Sequence, residues 1–302
     1  MKRAKKVSKS ERLNHTFALS FILPATFFAV SLILYPLYKT VVLSFQNVKF
    51  MGAVGKTDDT LTLNNYAKLF QNSVFFNALI RSILFTAIAL SVSFLIGLGL
   101  ALLLNRKYRF QKLARALLLL SWPIPGVVVS FLFMWMFDAN YGIINIILKS
   151  LHIINGNVKW LISPTTAIST VIIETVWKSY PFFILTLLAG LKIIPADLFE
   201  AASIDGANAL QKFSRITLPA LRSVIVTSLL LNGLWVFSNF DLIYVLTGGG
   251  PNRATETMPL LLYNEAFKFY NISSASAIGI ISLLVCSFFV ILCIPALKKQ
   301  FY

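Results

Sequence analysis

The segment EAASIDGANALQKFSRITLP, residues 200–219, is a polar stretch inside an otherwise apolar chain, and it decides the fold. Asp197 and Glu200, three residues apart, predict a capping box at the start of a first short helix. Gly206 predicts a turn with positive φ, which glycine adopts without steric cost. Pro219 predicts the end of a second short helix. The segment is therefore predicted to leave the apolar part of the chain and to face a partner.

The composition is that of a membrane protein. Hydrophobic residues make up 57% of the 302 residues, charged residues only 13%, and the mean hydropathy is +0.78. No soluble domain has this balance. The net charge of +16 lies largely in basic clusters before the first apolar span and between the second and third, and the N-terminal cluster has no interleaved aromatic residues. This pattern is typical of cytoplasmic membrane loops, and no nucleic-acid partner is expected.

Windows of about twenty apolar residues predict six membrane-spanning helices. The predicted spans are residues 17–38, 82–104, 113–137, 166–188, 224–246 and 277–294. A basic segment, residues 1–16, precedes the first span. That span is longer than a signal-peptide core and has no small-residue cleavage site after it, so it is predicted to remain as an anchor.

The Lys and Arg residues set the predicted orientation. With the basic N-terminus in the cytoplasm, seventeen of them fall in inside segments and nine in outside segments. Cytoplasmic loops carry the excess of positive charge. Both termini and residues 197–219 are therefore predicted to be cytoplasmic.

Two charged residues lie inside the fourth predicted span. Glu174 and Lys178 are four residues apart with the acid first, the favourable order for an ion pair on a helix. Mutual neutralisation is the preferred interpretation, and a direct role in substrate binding is the alternative. Trp177 lies between them and is predicted to face either a translocation path or a neighbouring helix.

The fifth predicted span carries a polar stripe. Ser228, Asn232, Trp235 and Asn239 follow steps of four, three and four, which place them on one helical face, and Asp241 flanks the outer end. Amides and carboxylates bind sugar hydroxyls, and an indole covers the apolar face of a pyranose. Contacts between membrane helices also use Asn and Ser, so the stripe alone leaves both interpretations open.

The third predicted span contains the sequence WPIPG, residues 122–126. Two prolines and a glycine predict a kinked or unwound helix. A packing role and a role as a gating hinge both fit this pattern.

Several enzyme classes lack their sequence signatures. There is no GxxxxGK[ST] motif, so the chain does not supply the usual ATP site, and there is no HExxH motif for zinc. A membrane-embedded transferase with Asp241 or Glu174 as base would need a paired acid or a metal site. A proton-coupled carrier would be expected to have paired repeats. We expect no enzyme activity, cofactor or metal in this chain.

The spacing E-A-A, three residues, G, nine residues, I-x-L-P resembles the cytoplasmic coupling loop of permease subunits in ATP-binding-cassette (ABC) importers. The matching positions, with the acid that precedes the glycine, are Glu200, Ala201, Ala202, Asp205, Gly206, Ile216, Leu218 and Pro219. The opening residues 21–45, GGGPNRATET at 248–257 and YNEAF at 263–267 are similar to the carbohydrate-uptake class. That class includes permeases for glycerol phosphate, lactose, multiple sugars and maltose.

The resemblance implies a type I importer permease fold of six helices over residues 17–302, in the bacterial cytoplasmic membrane. It implies two cytoplasmic ATPase subunits, to which the permease couples through residues 197–219. A second, homologous permease, an external solute-binding protein, surrounding lipid and a sugar complete the expected partners. The ending PALKKQFY lacks the glycine-rich end of the other permease type, which favours the first-permease type. A non-sugar solute such as glycerol phosphate is the alternative, and the particular sugar stays open.

Overall fold

The computed structural model describes residues 20, 22–24, 26–51, 54–58, 60–106 and 108–298. The predicted basic segment 1–16 lies outside these residues. The chain divides into two compact units. The smaller contains residues 1–69 and 265–280, and the larger contains residues 70–264 and 281–302.

The smaller unit adds a short antiparallel ribbon to its helices. Its elements are a π-helical turn Val30–Leu34, α1 (Tyr35–Ser44), β1 (Asn47–Met51), β2 (Val54–Asp58) and most of α2 (Asn64–Gln71). Asn47 pairs with Asp58 at the open end of the ribbon. The sequence predicts an all-α protein, and the described residues confirm this apart from the ribbon.

Asn65 fixes the connection around the ribbon. Its side-chain amide donates to the carbonyls of Ser44 at 2.9 Å and Gln46 at 2.8 Å. The Tyr66 hydroxyl donates to Ser44 Oγ at 2.8 Å, and the Val48 N–H donates to Ser273 Oγ at the same distance. These bonds satisfy backbone groups at a helix end and a strand, as buried polar groups require.

The larger unit is helical in all its described regular structure. Its elements are α3 (Ser73–Leu104), α4 (Gln111–Leu119), α5 (Gly126–Met136), α6 (Ile143–Ser150), α7 (Pro164–Ile193), α8 (Ala196–Ile204), α9 (Ala209–Lys212), α10 (Leu218–Ala220), α11 (Arg222–Phe237), α12 (Asp241–Leu246), α13 (Met258–Tyr263) and the greater part of α14 (Ile272–Lys298). Helix α3 packs closely along α7. A Cβ at Gly97 would lie 2.4 Å from the Cβ of Phe183, so this contact requires glycine.

Two apolar clusters form the core of the larger unit. One gathers Phe85, Val129, Val171, Ile243 and Leu260, and the other gathers Leu104, Phe183, Leu187 and Leu221. Both clusters contain residues of α3 and α7. The first cluster includes residues of α5, α11 and α12. It therefore holds together the helices that line the candidate site.

Within the described residues, five helices are long and apolar enough to cross a membrane. They are Ile22–Ser44, Ser73–Leu104, Pro164–Ile193, Arg222–Leu246 and Ile272–Pro295, and Gly126–Met136 is a shorter apolar helix. The second of these helices begins at Ser73, nine residues before the predicted span 82–104. Asn72 caps this helix by accepting from the Val74 N–H at 2.9 Å. The count of six spans therefore stays a prediction.

The third predicted span, residues 113–137, is broken. Helix α4 ends at Leu119 and α5 begins at Gly126, because Pro123 and Pro125 have no N–H for the helical ladder. The predicted fifth span also divides, with α11 ending at Phe237 and α12 starting at Asp241. The sequence predicts the first break and misses the second.

The predicted orientation is testable with two exposed positions. In a chain whose own Cys286 and Cys293 are replaced by Ser, Asn252→Cys is expected to react with an impermeant thiol reagent on intact cells. Gln211→Cys is expected to react only after lysis. Both positions are exposed, so access to the reagent depends on the side of the membrane. The reverse labelling pattern would invert the topology.

Candidate functional site

A partly open cavity of about 190 Å³ lies where α7, α11, α12 and the broken third span meet. Its lining residues are Trp122, Lys178, Ser179, Asn232, Trp235, Val236, Asn239 and Leu242. The structure thus brings together three residues of the predicted stripe, namely Asn232, Trp235 and Asn239. Trp122 and Ser179 come from other elements and were not part of the predicted site. Lys178, for which the sequence leaves a role in substrate binding as the alternative, also lines the cavity.

Three candidates for the substrate path do not line the cavity. The Ser228 hydroxyl donates to the Val224 carbonyl of its own helix at 2.5 Å. The half-buried Trp177 ring packs against Phe133 of the first apolar cluster, with ring centroids 5.8 Å apart. Asp241 lies exposed in the first turn of α12. The helical period places Ser228 on the stripe, but the cavity begins one turn further along α11.

Asn232 contributes an unsatisfied acceptor. The residue is 2% exposed, and its Oδ1 has no hydrogen-bond partner among the described residues. A buried polar atom without a partner costs about 1–3 kcal/mol. Asn239 is different, because its Oδ1 accepts from the Leu242 N–H at 3.3 Å and supports the start of α12. Both amides line the cavity, but only that of Asn239 has its oxygen engaged in a hydrogen bond among the described residues.

Aromatic rings form one wall of the cavity. The Trp235 indole is 54% exposed and meets Phe182 edge-to-face, with centroids 5.0 Å apart. The Trp122 indole is 46% exposed and lies 6.5 Å from the same Phe182 ring. Two half-exposed indoles supported by one ring provide flat apolar surface beside the amide of Asn232.

The predicted ion pair between Glu174 and Lys178 is wrong. Lys178 Nζ donates to the backbone carbonyls of Ser121 at 3.1 Å, Trp122 at 2.8 Å and Ile124. Pro125 lacks the N–H that would bond the Ser121 carbonyl in a regular helix. The free carbonyls of the broken span therefore bind the ammonium in place of Glu174.

Glu174 is fully buried and belongs to a separate contact. Its Oε1 accepts from Ser130 Oγ of α5 at 2.6 Å, and its Oε2 has no partner among the described residues. The Ser130 hydroxyl also lies 3.4 Å from the Leu242 carbonyl. Glu174 thus joins α7 to α5 near the start of α12.

The polar segment that decides the fold forms two linked short helices. Gly206 has φ +76°, as its position in the sequence predicts. The Gly206 N–H donates to the Ser203 carbonyl at 3.2 Å, and the Ala207 N–H donates to the Ala202 carbonyl at 2.8 Å. These two bonds are those of a Schellman motif, which ends α8. Lys212 Nζ donates to Ser203 Oγ at 2.6 Å and ties α9 to α8.

The predicted capping box at Asp197 is wrong. Pro195 is the N-cap of α8, and Asp197 lies inside the first turn without a capping bond. The capping box belongs instead to α9, where Asn208 Oδ1 accepts from the Gln211 N–H at 2.9 Å. The Asn208 N–H in turn donates to Gln211 Oε1 at 2.8 Å.

Pro219 does not end the second helix. The chain continues from α9 through a π-helical turn, Phe213–Thr217, into α10. Pro219 then lies in the first turn of α10, where a missing N–H is tolerated. The chain turns at Leu221 before α11 begins, so α9 is connected to the cavity-lining helix through short helical pieces.

The surface of this segment is exposed. Glu200, Ala201, Asp205, Gly206, Leu218 and Pro219 are exposed, whereas Ala202 and Ile216 are half-buried. Ile204 is 88% exposed and Leu210 is 74% exposed. These two side chains leave a large apolar area on the surface of the segment.

Residues 93–300 match the family described as binding-protein-dependent transport system inner membrane component. The chain belongs to this family. The matched residues include the cavity and the segment from α8 to α10. The chain is therefore a permease, a multi-pass protein of the inner membrane in an ABC transport system, and its family is not one of enzymes.

Relatives of the permease are named for transport of sugars. It is 38% identical over 233 residues to the trehalose/maltose transport system permease protein MalF of Thermococcus litoralis, covering 76% of this chain and 77% of that protein. It is 31% identical over 264 residues to the sulfoquinovosyl glycerol transport system permease protein SmoG of Agrobacterium fabrum, covering 87% and 84%. It is 31% identical over 267 residues to the diacetylchitobiose uptake system permease protein DasB of Streptomyces coelicolor, covering 87% and 81%.

Solved structures support the fold. A chain of a bacterial ABC transporter involved in the import of the acidic polysaccharide alginate superposes with a TM-score of 0.83. The match covers 96% of the permease and 98% of that chain at 20% identity. The predicted resemblance to ABC importer permeases is confirmed, and with it the helical importer fold.

Proposed function

We propose that the permease is one of two related membrane subunits of a bacterial sugar importer. A solute-binding protein delivers the sugar from outside, and two separate cytoplasmic subunits hydrolyse ATP. The sugar transport named in several relatives supports this substrate class. The missing P-loop supports ATP hydrolysis by other chains.

The side-chain amide of Asn232 beside Trp235 carries the sugar assignment. The amide bonds a sugar hydroxyl, and the Trp235 indole covers an apolar face of the ring. At about 190 Å³ the cavity is smaller than the 300–1,000 Å³ typical of ligand pockets. This size fits a path whose other wall comes from the second permease subunit.

The exposed segment from α8 to α10 is the proposed ATPase contact. Ile204 and Leu210 enter a cleft of the ATPase, and Glu200 lies on the same exposed segment. The Schellman motif and the Lys212–Ser203 bond make α8 and α9 move together. Movement passes through α10 into α11, which carries Asn232 and Trp235, and switches the path between inward-open and outward-open states.

Replacement of Asn232 by Leu tests the sugar site. Leu has a similar size and removes the unsatisfied acceptor, so the thermal stability of the complex is expected to stay equal or rise. Sugar uptake per assembled complex is expected to fall about tenfold, since a hydrogen bond of about 1.4 kcal/mol is lost.

Ser228→Ala is the matched control for Asn232→Leu. Ser228 lies on the same helix face, is equally buried and bonds only within α11. Uptake per complex and stability are expected to remain near the wild-type values. If Asn232→Leu keeps wild-type uptake, or lowers stability in proportion to uptake, Asn232 has a packing role.

A further inference from the structure

Lys178 is the charged residue of the cavity wall, and its role is not explained by sugar binding. An ammonium has three N–H donors. The three carbonyls of Ser121, Trp122 and Ile124 account for all of them. The side chain therefore has no donor left for a hydroxyl or an anion while this arrangement persists.

The bonded carbonyls belong to the broken segment between α4 and α5. In this segment the Trp122 N–H reaches the Leu119 carbonyl at 3.2 Å, and the Val129 N–H resumes the helical ladder at the Pro125 carbonyl at 3.2 Å. The carbonyls of residues 120–124 lie between these two helical bonds. Inside a membrane they need another donor, because lipid cannot supply one. Lys178 supplies that donor from α7.

The same segment holds one of the two cavity indoles. Trp122 follows directly after Ser121, and its ring meets Phe182, which lies one helical turn after Lys178 on α7. Phe182 also supports Trp235. Lys178 thus fixes the backbone of Trp122, and Phe182 contacts its ring. Together they set the position of the indole.

We infer that Lys178 is a positioning residue that latches the broken third span and thereby sets the aromatic wall of the cavity through Trp122. Release of the three carbonyls lets residues 121–124 move and withdraws the indole from the path. The inference about sugar selection rests on the proposed function. The latch itself is independent of the solute.

The latch is tested without any solute by thiol labelling. The complete transporter, purified with its partner subunits in lipid nanodiscs, carries Ser121→Cys in a background with Cys286→Ser and Cys293→Ser. Ser121 is 2% exposed, and its backbone carbonyl accepts from Lys178, so labelling there requires the segment to open. Adding Lys178→Met is expected to raise the labelling rate at position 121 at least about tenfold, and Lys178→Arg is expected to restore the slow rate. Trp235→Cys is the control, and its rate is expected to be the same with Lys178 or Met. An unchanged rate at position 121 in Lys178→Met overturns the latch.

The consequence for transport is tested by a double-mutant cycle. Lys178→Met and Trp122→Ala are each expected to lower sugar uptake per complex about tenfold and to alter the preference between two sugars in the same direction. The double variant is expected to be no worse than either single variant, because both act on one indole. Additive losses would show that Lys178 does not act through Trp122. If wild-type transporter accepts no sugar while the labelling result holds, the proposed substrate is wrong and the latch stands.

Discussion

Gly206→Val is expected to abolish sugar uptake while the permease still assembles with its ATPase. Gly206 has φ +76°, and a β-branched residue in this region is strained by roughly 1–2 kcal/mol. The strain opens the Schellman motif that sets the angle between α8 and α9. We expect uptake per complex to fall more than about tenfold, with ATP hydrolysis no longer stimulated by the loaded binding protein.

Gly206→Asn separates backbone strain from loss of space. A Cβ at Gly206 would meet nothing within 4 Å, so volume alone is tolerated in the isolated chain. Asn adopts the left-handed region more readily than Val. Near-normal uptake is expected for Gly206→Asn, and equal loss in both variants would indicate a steric clash with a partner. Wild-type uptake in Gly206→Val at normal protein levels contradicts the coupling proposal.

Trp235→Ala is expected to lower sugar uptake about tenfold per assembled complex and to change the preference among saccharides. The indole is 54% exposed, so its removal leaves no closed cavity, and the abundance of the complex is expected to hold. The loss reflects a stacking surface of about 1 kcal/mol or more for the sugar ring. Uptake of several labelled sugars, divided by the amount of complex, measures it.

Trp177→Ala is the matched control for Trp235→Ala. Trp177 lies one turn from Glu174, is half-buried, and packs against the first apolar cluster through Phe133. Its truncation is expected to lower thermal stability and abundance, while uptake per complex stays near the wild-type value. If the Trp235 variant behaves in the same way as the Trp177 variant, the aromatic wall is structural.

Features that depend on one residue's own geometry are predictable from the sequence. Gly206 predicts its positive φ, and the two prolines at 123 and 125 predict the broken third span, because each restricts the backbone directly. The three-residue and four-residue steps along α11 place Asn232 and Trp235 on one face for the same reason. In these cases local structure needs no tertiary information.

Features that depend on competition among partners are not predictable in this way. Glu174 and Lys178 have the spacing of an ion pair, but carbonyls of the broken third span lie 54 to 57 residues away in sequence and bind the lysine instead. Asp197 has the sequence of an N-cap, yet Pro195 already takes the extended conformation that the cap requires. Trp122 lines the cavity because its segment packs against α7, and this contact between distant parts of the chain is not visible in the local sequence.

The most direct test of the account measures ATP hydrolysis by the purified transporter. The permease is tagged, isolated with the subunits that accompany it, reconstituted in lipid nanodiscs and mixed with its binding protein across a panel of saccharides. We predict that ATPase subunits and a second permease co-purify, and that one or a few sugars stimulate hydrolysis through the binding protein. Hydrolysis that no saccharide stimulates, in a complex that responds to a different class of solute, would contradict the assignment of sugar import.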